Sequence, residues 1–446
     1  MVALENFISG VLPFSFLLIC GIYLTIKTGF SQITRFPKSV KLTIKAFKNR
    51  EQCSEITSFK AACTALSATA GTGNIAGVAG AISIGGAGAI FWMWVSAVLG
   101  MCIKATEITL SVLYRKKEKD LYIGGPMHYI KNGLPAKYNF LGLVFCIAAL
   151  PAVFCSGNIT QTNSAILTFC GDQTSKAIWG TLFFIATLVA ITGSIKRIAK
   201  ITESLIPILS VLYIILCMLV IIANRQGIIV AFEMIFKGAF NPRAVTGGAV
   251  GSIWSCIFIG ASRGVFSNEA GLGTSAMAHS AAVDADPKTQ GLFGMFEVFI
   301  DTIILCTLTA LTILCSGVKI DYGHIVSTEP VLESLGGFYG SFGDLALSIM
   351  MCLFAYSSII GWAFYGKLCS GYLFGKVGNI IFTIIYPFGC IFGALFDSSI
   401  SWRLSAFCNG IMLCTNLTAL LLLSGKAEKY LKRGQRIDKR KNRINT

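Results

Sequence analysis

Two glycine-rich stretches interrupt apolar parts of this sequence with polar residues. The first reads Ser-Ala-Thr-Ala-Gly-Thr-Gly-Asn-Ile-Ala-Gly-Val-Ala-Gly from position 67 to position 80. Each glycine weakens a helix by about 1 kcal/mol relative to alanine, and backbone groups freed in hydrocarbon are costly unless something satisfies them. A helix broken here would offer N–H groups to a carboxylate and carbonyl oxygens to a cation. The alternative is close helix packing through Gly73 and Gly77, which form a GxxxG pair.

The second stretch reads Gly-Ala-Ser-Arg-Gly-Val-Phe-Ser-Asn-Glu-Ala-Gly-Leu-Gly from position 260 to position 273. It places Arg263, Asn268 and Glu269 where a plain membrane helix would have leucine. Interrupted helices at matching positions in two halves of a chain are typical of the binding site of a secondary transporter. The alternative for this stretch is an ordinary loop.

Four further ionisable residues fall inside apolar segments. Lys104 and Glu107 are three positions apart, so we predict that they pair on one helix face. Glu297 and Asp301 are four apart and repel, so we expect one to be protonated or each to meet a basic group, for example Arg263. A role in proton transfer or gating stays open for them. Because HExxH, GxSxG and Walker A motifs are all absent, we predict that the protein is not an enzyme.

The composition indicates the class of fold in which these residues are placed. Hydrophobic residues make up 54% of the 446 positions and charged residues 13%, whereas soluble domains average about 25% charged residues. A soluble fold of this size could not bury so much apolar surface, so the sequence predicts an all-α membrane protein. Stretches of about 20 apolar residues predict eleven transmembrane helices. They lie near residues 7–27, 59–84, 88–114, 139–167, 177–194, 201–223, 248–280, 291–316, 340–364, 374–396 and 402–424.

Basic residues cluster in the short stretches between these segments. By the positive-inside rule they mark the cytoplasmic side, which places the N-terminus outside and the C-terminus inside the plasma (bacterial inner) membrane. The net charge of +16 is therefore assigned to topology rather than to nucleic-acid binding. The predicted units are an N-terminal helix with a basic loop (1–58), a first five-helix repeat (59–223), an outer connection with a second repeat (224–424) and a basic tail (425–446).

Four motifs together resemble the alanine/glycine:cation symporter family over about residues 60–420. They are the run at 71–79, Phe-Trp-Met-Trp at 91–94, Phe-Ser-Asn-Glu-Ala-Gly-Leu-Gly at 266–273 and Gly-Leu-Phe-Gly-Met-Phe-Glu-Val-Phe-Ile-Asp-Thr at 291–302. The resemblance implies a leucine-transporter-like core of two inverted five-helix repeats, helices two to six and seven to eleven, after one extra N-terminal helix. It also implies uptake of alanine or glycine coupled to Na⁺ or H⁺.

The resemblance further implies which residues bind the substrate. The break would hold its carboxylate and amino groups, Gln161 would be a polar contact on the fourth helix, and Trp362 would be an aromatic wall that limits side-chain size. The implied substrate positions are Gly71, Thr72, Gly73, Asn74, Gln161 and Trp362. The alternatives are that Gln161 only bridges helices and that Trp362 only fills the core.

The resemblance also implies a Na⁺ site made of two hydroxyls and two backbone carbonyls. Its positions are Ser357, Ser358, Ser67 and Ala70. This set suits Na⁺, because a hard cation prefers oxygen ligands. The alternative is that the two serines bond back to their own helix. Since no acidic residue stands near Gly71 in the sequence, we expect Na⁺ itself to neutralise the substrate carboxylate.

The sequence thus predicts a secondary transporter that carries alanine or glycine into the cell with Na⁺ by alternating access. Its expected partners are the amino acid, Na⁺ and the lipid bilayer, with no other cofactor and no nucleic acid. An H⁺-coupled carrier of another small neutral amino acid on the same fold stays an alternative. An ion channel is the alternative from a different class. The oligomeric state is left open.

Overall fold

The computed structural model describes residues 11–48, 55–118, 121–248, 252–324 and 326–444. Part of the predicted basic loop, residues 49–54, lies outside the described residues, as do residues 1–10 and the last two residues of the predicted tail.

Nearly all of the described chain is helical. The helices are α1 Leu12–Lys27, α2 Ser31–Thr34, α3 Phe36–Lys48, α4 Ser58–Thr69, α5 Ala76–Gly85, α6 Ala89–Tyr114, α7 Pro126–Gly133, α8 Asn139–Phe154, α9 Thr160–Ile166, α10 Gln173–Ile191, α11 Ile195–Ala223, α12 Gly227–Phe240, α13 Pro242–Thr246, α14 Ile253–Asn268, α15 Thr274–Ser280, α16 Pro287–Val298, α17 Thr307–Cys315, α18 Glu329–Tyr339, α19 Ser341–Ile385, α20 Phe388–Leu395 and α21 Ser399–Ile444. An antiparallel hairpin pairs β1 Lys116–Glu118 with β2 Leu121–Ile123.

The outward surface of these helices is apolar, as a bilayer requires. Seven described helices are long and apolar enough to cross a membrane, and α1 is a shorter apolar helix. Large side chains such as Ile19, Ile147 and Ile208 are each more than 60% exposed, which water would penalise and lipid tails would not. Each predicted transmembrane segment overlaps a described helix, and the eleven-helix count itself stays a prediction.

Both glycine-rich stretches break their helices. Helix α4 ends at Thr69, and the backbone is extended at Gly71. A 3₁₀ turn covers Thr72–Asn74, and α5 then begins. We call this the first break. The second break covers residues 269–273, between α14 and α15. There Glu269 has a φ of 54° and Gly271 and Gly273 are left-handed as well. The loop interpretation of the second stretch is therefore wrong in its extent, because helix flanks a break of only five residues.

Two π-helical turns, Cys155–Ile159 and Phe299–Cys306, interrupt the fourth and eighth predicted segments. Such turns are frequent at functional sites because they rotate the following side chains relative to an unbroken α-helix. In the packed fold, α6 lies against α14 and α16, while α4 lies against α11 and α19. The 3₁₀ turn of the first break contacts α14 and the second π-helical turn, and also α9 and α19, which hold predicted site residues.

Candidate functional site

Asn74 organises the first break. Its Oδ1 accepts a hydrogen bond from the Gly71 amide at 3.0 Å. Its Nδ2 donates to Ser267 Oγ at 3.1 Å and to Asp301 Oδ1 at 2.8 Å. Since Ser267 lies just before the second break, this one side chain joins both broken helices and the π-helical turn.

Gln161 reaches the first break from α9. Its Oε1 accepts from the Thr72 hydroxyl at 2.9 Å and faces the Thr72 amide at 3.4 Å, while its Nε2 donates to Ser156 O at 3.2 Å. A Cβ on Gly71 would lie 3.2 Å from Gln161 Oε1 and 2.3 Å from Ser358 Oγ. Glycine is therefore required at position 71, because a side chain would displace the groups that converge there.

The carbonyl groups predicted to bind Na⁺ lack their helical hydrogen-bond partners. In a continuous helix, Ser67 O would accept from the Gly71 amide and Ala70 O from the Asn74 amide. Instead the Gly71 amide donates to the Asn74 side chain, and the Asn74 amide donates to Gly71 O. The break thus frees the two carbonyl oxygens that the resemblance implied as cation ligands.

Ser358 faces this break with an unsatisfied hydroxyl. Its side chain is fully buried, and its Oγ has no hydrogen-bond partner within the described residues. Ser357 instead donates to Phe354 O at 2.8 Å, so bonding back to the helix holds for this serine and not for Ser358. The facing helices are close here, because a Cβ on Gly361 would lie 2.5 Å from Ser67 Oγ. A buried hydroxyl oxygen without a protein partner is suited to be a cation ligand.

Trp362 is buried on the same helix as Ser358 but packs against a different neighbour. A Cβ on Gly157 would lie 2.4 Å from the Trp362 Cβ and Cγ atoms, and the indole ring lies 5.8 Å from the Tyr365 ring. These contacts place Trp362 against the π-helical turn that precedes Gln161. Its role as a wall of the substrate site stays a prediction.

Asp301 is the site residue that the sequence argument missed. Near Gly71 the sequence holds no acidic residue, yet the fold brings Asp301 within hydrogen-bond distance of Asn74. The carboxylate also accepts from Ser267 Oγ at 2.6 Å and from Thr302 Oγ1 at 3.0 Å. These donors are neutral, so the expectation that a basic group such as Arg263 pairs with Asp301 is wrong. The family motif at 291–302 includes Asp301, but Asp301 and Asn74 are 227 positions apart, so nothing in the sequence indicated their contact.

Lys104 pairs with Glu297 and not with Glu107, which corrects another prediction. Its Nζ lies 3.1 Å from Glu297 Oε1 and donates to Asn268 O at 2.7 Å and to Ser275 Oγ at 2.6 Å. His279 Nε2 lies 3.1 Å from the other carboxylate oxygen of Glu297. The i,i+3 rule describes exposed helix faces, whereas in the packed interior the facing helix α16 supplies a closer acid.

Glu107, three residues further along the same helix, has neutral hydrogen-bond partners. Its oxygens face Asn416 Nδ2 at 2.8 Å and the Gly271 amide at 3.4 Å. Arg263 does not pair with Glu297 as expected, because Lys104 and His279 take that position. The guanidinium carbon of Arg263 instead lies 5.7 Å from the centre of the Trp402 ring. The charged side chains around the second break and their partners therefore come from α6, α16 and α21.

A cavity of about 480 Å³ reaches the first break from one end of the helices. We call it the vestibule, and the lining residues that matter here are Thr72, Gly73, Arg263, Asp397 and Trp402. At its rim, the amide and hydroxyl of Ser399 donate to Asp397 and hold the pKa of that carboxyl below its usual range. The site is therefore reached by a polar path that carries both signs of charge.

The fold has a known counterpart. The crystal structure of MhsT in complex with L-phenylalanine superposes with a TM-score of 0.55 at 16% identity and covers 86% of this chain and 97% of that one. The predicted leucine-transporter-like, all-α membrane fold is thereby confirmed. Paired helix breaks beside a polar site are typical of secondary transporters with this kind of fold.

Comparison with known sequences gives the family. Residues 1–445 match the profile of the sodium:alanine symporter family, and the chain belongs to that family. The sodium/alanine symporter AgcS of Methanococcus maripaludis is 38% identical over 426 residues, which cover 94% of this chain and 93% of AgcS. The probable sodium/glutamine symporter GlnT of Bacillus subtilis is 34% identical over 416 residues, which cover 92% and 84%. The family resemblance stated from the motifs is confirmed.

Proposed function

We propose that this protein is a symporter that couples Na⁺ to the uptake of a small neutral amino acid, alanine or glycine. The observation that supports it most is the freed pair of carbonyls at Ser67 and Ala70 beside the unsatisfied hydroxyl of Ser358. These three oxygens, with Ser357 Oγ as a fourth, are the kind of ligand that a hard cation prefers, and in this proposal they bind Na⁺. The cation then stands next to the peptide groups that receive the substrate.

The substrate carboxylate belongs at the start of the half-helix that follows the break. The amides of Thr72 and Gly73 stand at this end, where the helix dipole favours negative charge. The amino group then meets carbonyl oxygens or Gln161 Oε1, which now accepts from Thr72. Substrate binding would thus replace contacts that the side chains make to the break, so the site exchanges one set of hydrogen bonds for another at little cost.

Small substrates follow from the crowding around Gly71, where Gln161 and Ser358 both lie close. Trp362 would limit side-chain length on the α19 side. Since one relative carries the name of a glutamine symporter, a competition series with glycine, L-alanine, D-alanine and L-glutamine is the appropriate measure. We expect glycine and alanine to compete at least tenfold better than glutamine, which corresponds to about 1.4 kcal/mol.

The membrane orientation in this proposal follows the basic clusters. The vestibule opens beside Asp397 and Ser327, on the side opposite to the basic stretches at 35–48 and 115–117. With those stretches in the cytoplasm, the vestibule faces outward and α21 leads to the cytoplasmic C-terminus. The substrate would therefore reach the break from outside the cell.

Radiolabelled alanine uptake into proteoliposomes tests the coupling. We expect uptake to need an inward Na⁺ gradient, and Ser358→Ala to raise the half-saturating Na⁺ concentration by on the order of tenfold or more. Ser358→Thr, which keeps the hydroxyl, should stay within a few-fold of the parent. Ser370→Ala is the matched control, because Ser370 is a buried serine of the same helix that bonds back to Lys367 O.

Two results would contradict the proposal. Equal alanine uptake with and without a Na⁺ gradient removes Na⁺ coupling, and a response to a pH gradient in its place supports the H⁺-coupled alternative. Conductance far above carrier turnover, without saturation by alanine, supports a channel.

A further inference from the structure

We infer that Arg263 binds the carboxylate of the incoming amino acid in the vestibule, at a second site that the substrate occupies before it reaches the first break. This inference rests on the proposed function, because it assumes that an amino acid is the cargo. It concerns a different residue and a different place from the binding residues named above.

Arg263 stands in the vestibule wall without an acidic partner. It is half-buried on α14 and lines the same cavity as Thr72 and Gly73. Arginines inside membrane segments pair with an acid or mark the path of a substrate. Within the described residues, Arg263 forms no ion pair, and its one interaction is the contact with the Trp402 ring. The buried cation Lys104 shows the contrast, because Glu297 meets it at 3.1 Å.

The guanidinium group has two neighbours in the vestibule wall, and neither is a counter-ion. Its carbon lies 5.7 Å from the Trp402 ring centre, and one nitrogen lies 3.9 Å from where a Cβ on Gly80 would be. The Trp402 ring and the surface of α5 at Gly80 thus lie on two sides of the group. A planar guanidinium in this position offers paired N–H donors to a carboxylate.

Trp402 connects this group to the central site. Its ring also lies 5.3 Å from the Phe266 ring, and Phe266 Cδ1 lies 3.7 Å from where a Cβ on Gly73 would be. Arg263, Trp402 and Phe266 therefore form a row of neighbouring side chains from the vestibule wall to the break. Two aromatic rings separate a carboxylate on Arg263 from the amides of the central site along this row.

The charge at the rim fits a zwitterion. Asp397 is exposed at the rim and ionised, since Ser399 donates two hydrogen bonds to it. A cavity with a fixed guanidinium in its wall and a carboxylate at its rim attracts both ends of an amino acid, whereas a simple amine lacks the group that Arg263 binds. The predicted ligand class is the α-amino acid, recognised first through its carboxylate.

Binding of radiolabelled alanine to the purified protein tests the inference without transport. In Asn74→Ala, which disables the central site, we expect weak residual alanine binding to remain and to disappear in Asn74→Ala/Arg263→Gln. Arg403→Gln in the same background is the matched control, because Arg403 lines the same cavity, and it should keep the residual binding. Excess ethylamine, which lacks the carboxylate, should not compete for it.

Uptake kinetics give a second readout. Arg263→Gln should raise KM for alanine on the order of tenfold with little change in kcat, and Arg263→Lys should recover part of the loss because it restores the charge. Size-exclusion profiles and thermal unfolding of the purified variants verify the fold. If Asn74→Ala binds no alanine while the parent does, the second site does not exist. If the parent itself binds none, the proposed function fails first.

Discussion

At both helix breaks, backbone groups lose their helical hydrogen-bond partners, but different groups replace those partners. At the first break, neutral side chains accept from the freed amides, namely Asn74 Oδ1 from Gly71 and Gln161 Oε1 from Thr72. At the second break, charged residues do much of this work, since Lys104 binds Asn268 O and Glu107 faces the Gly271 amide. Both breaks are buried, but the first faces the unsatisfied hydroxyl of Ser358 and lines the vestibule, whereas residues 269–273 do not line it.

The difference is that between the proposed binding site and a rigid junction. Neutral hydrogen bonds cost little to exchange, so the first break can release its side chains to admit a substrate and a cation. A buried ion pair is expensive to open unless both charges keep partners. The second break is therefore suited to hold α14 and α15 in a fixed relation to α6 and α16, and these elements would move as a unit in alternating access.

Breaking the ion pair at the second break should have the largest effect. Lys104→Met leaves Glu297 buried beside His279 without its lysine, and we expect a loss of about 3–5 kcal/mol of stability. Thermal unfolding of the purified protein measures it. The control is Lys432→Met, whose partner Glu428 lies on a partly exposed turn of α21, with an expected loss below about 1 kcal/mol.

The double variant Lys104→Met/Glu297→Gln sharpens this prediction. The glutamine amide would keep hydrogen bonds to Ser275 and His279 without a buried charge, so we expect the double variant to recover a large part of the lost stability. If the single and double variants melt at the same temperature, the ionic description of the second break is wrong.

Alanine substitutions of glycines at or near the two breaks should differ in their effect on stability. Gly273 has a φ of 77°, and a Cβ there would lie 2.3 Å from Pro126 Cγ, so Gly273→Ala should cost about 2–4 kcal/mol through strain and overlap. Gly77, four residues after Gly73 on α5, has nothing within 4 Å of a Cβ position. Gly77→Ala should therefore be neutral or should stabilise by up to about 1 kcal/mol.

Thermal unfolding of both alanine variants, with alanine binding as a second readout, compares them directly. A loss of stability in Gly77→Ala equal to that in Gly273→Ala would show that both breaks depend on close helix approach. That outcome would support the GxxxG packing interpretation of Gly73 and Gly77.

The sequence predicted the breaks because glycine and polar residues inside an apolar segment have a local physical meaning. It predicted Gln161 and Ser358 only through the family resemblance, and the structure brings both to Gly71. The partners of Lys104 and Asp301 could not be predicted from spacing. Lys104 pairs across helices rather than along its own, and Asp301 lies on a π-helical turn where the i,i+4 rule for α-helices fails.

The smallest effect is expected at a neutral contact of the first break. Thr309 Oγ1 lies 2.8 Å from Asn74 O and 3.0 Å from Leu305 O, which share its one proton as acceptors, and 2.7 Å from the Tyr213 hydroxyl. Thr309→Val removes these bonds at constant shape and leaves the Tyr213 hydroxyl without this partner, which should cost about 1–2 kcal/mol.

Thr312→Val is the matched control for this last change, because Thr312 on the same helix donates to Leu308 O one turn earlier and does not touch the break. It should melt within about 0.5 kcal/mol of the parent. The stability loss in Lys104→Met divided by that in Thr309→Val then measures how much more strongly the second break is stabilised than the first. If Thr309→Val costs as much as Lys104→Met, the first break is locked as firmly as the second, and an easy exchange of side chain for substrate no longer follows from its neutral hydrogen bonds.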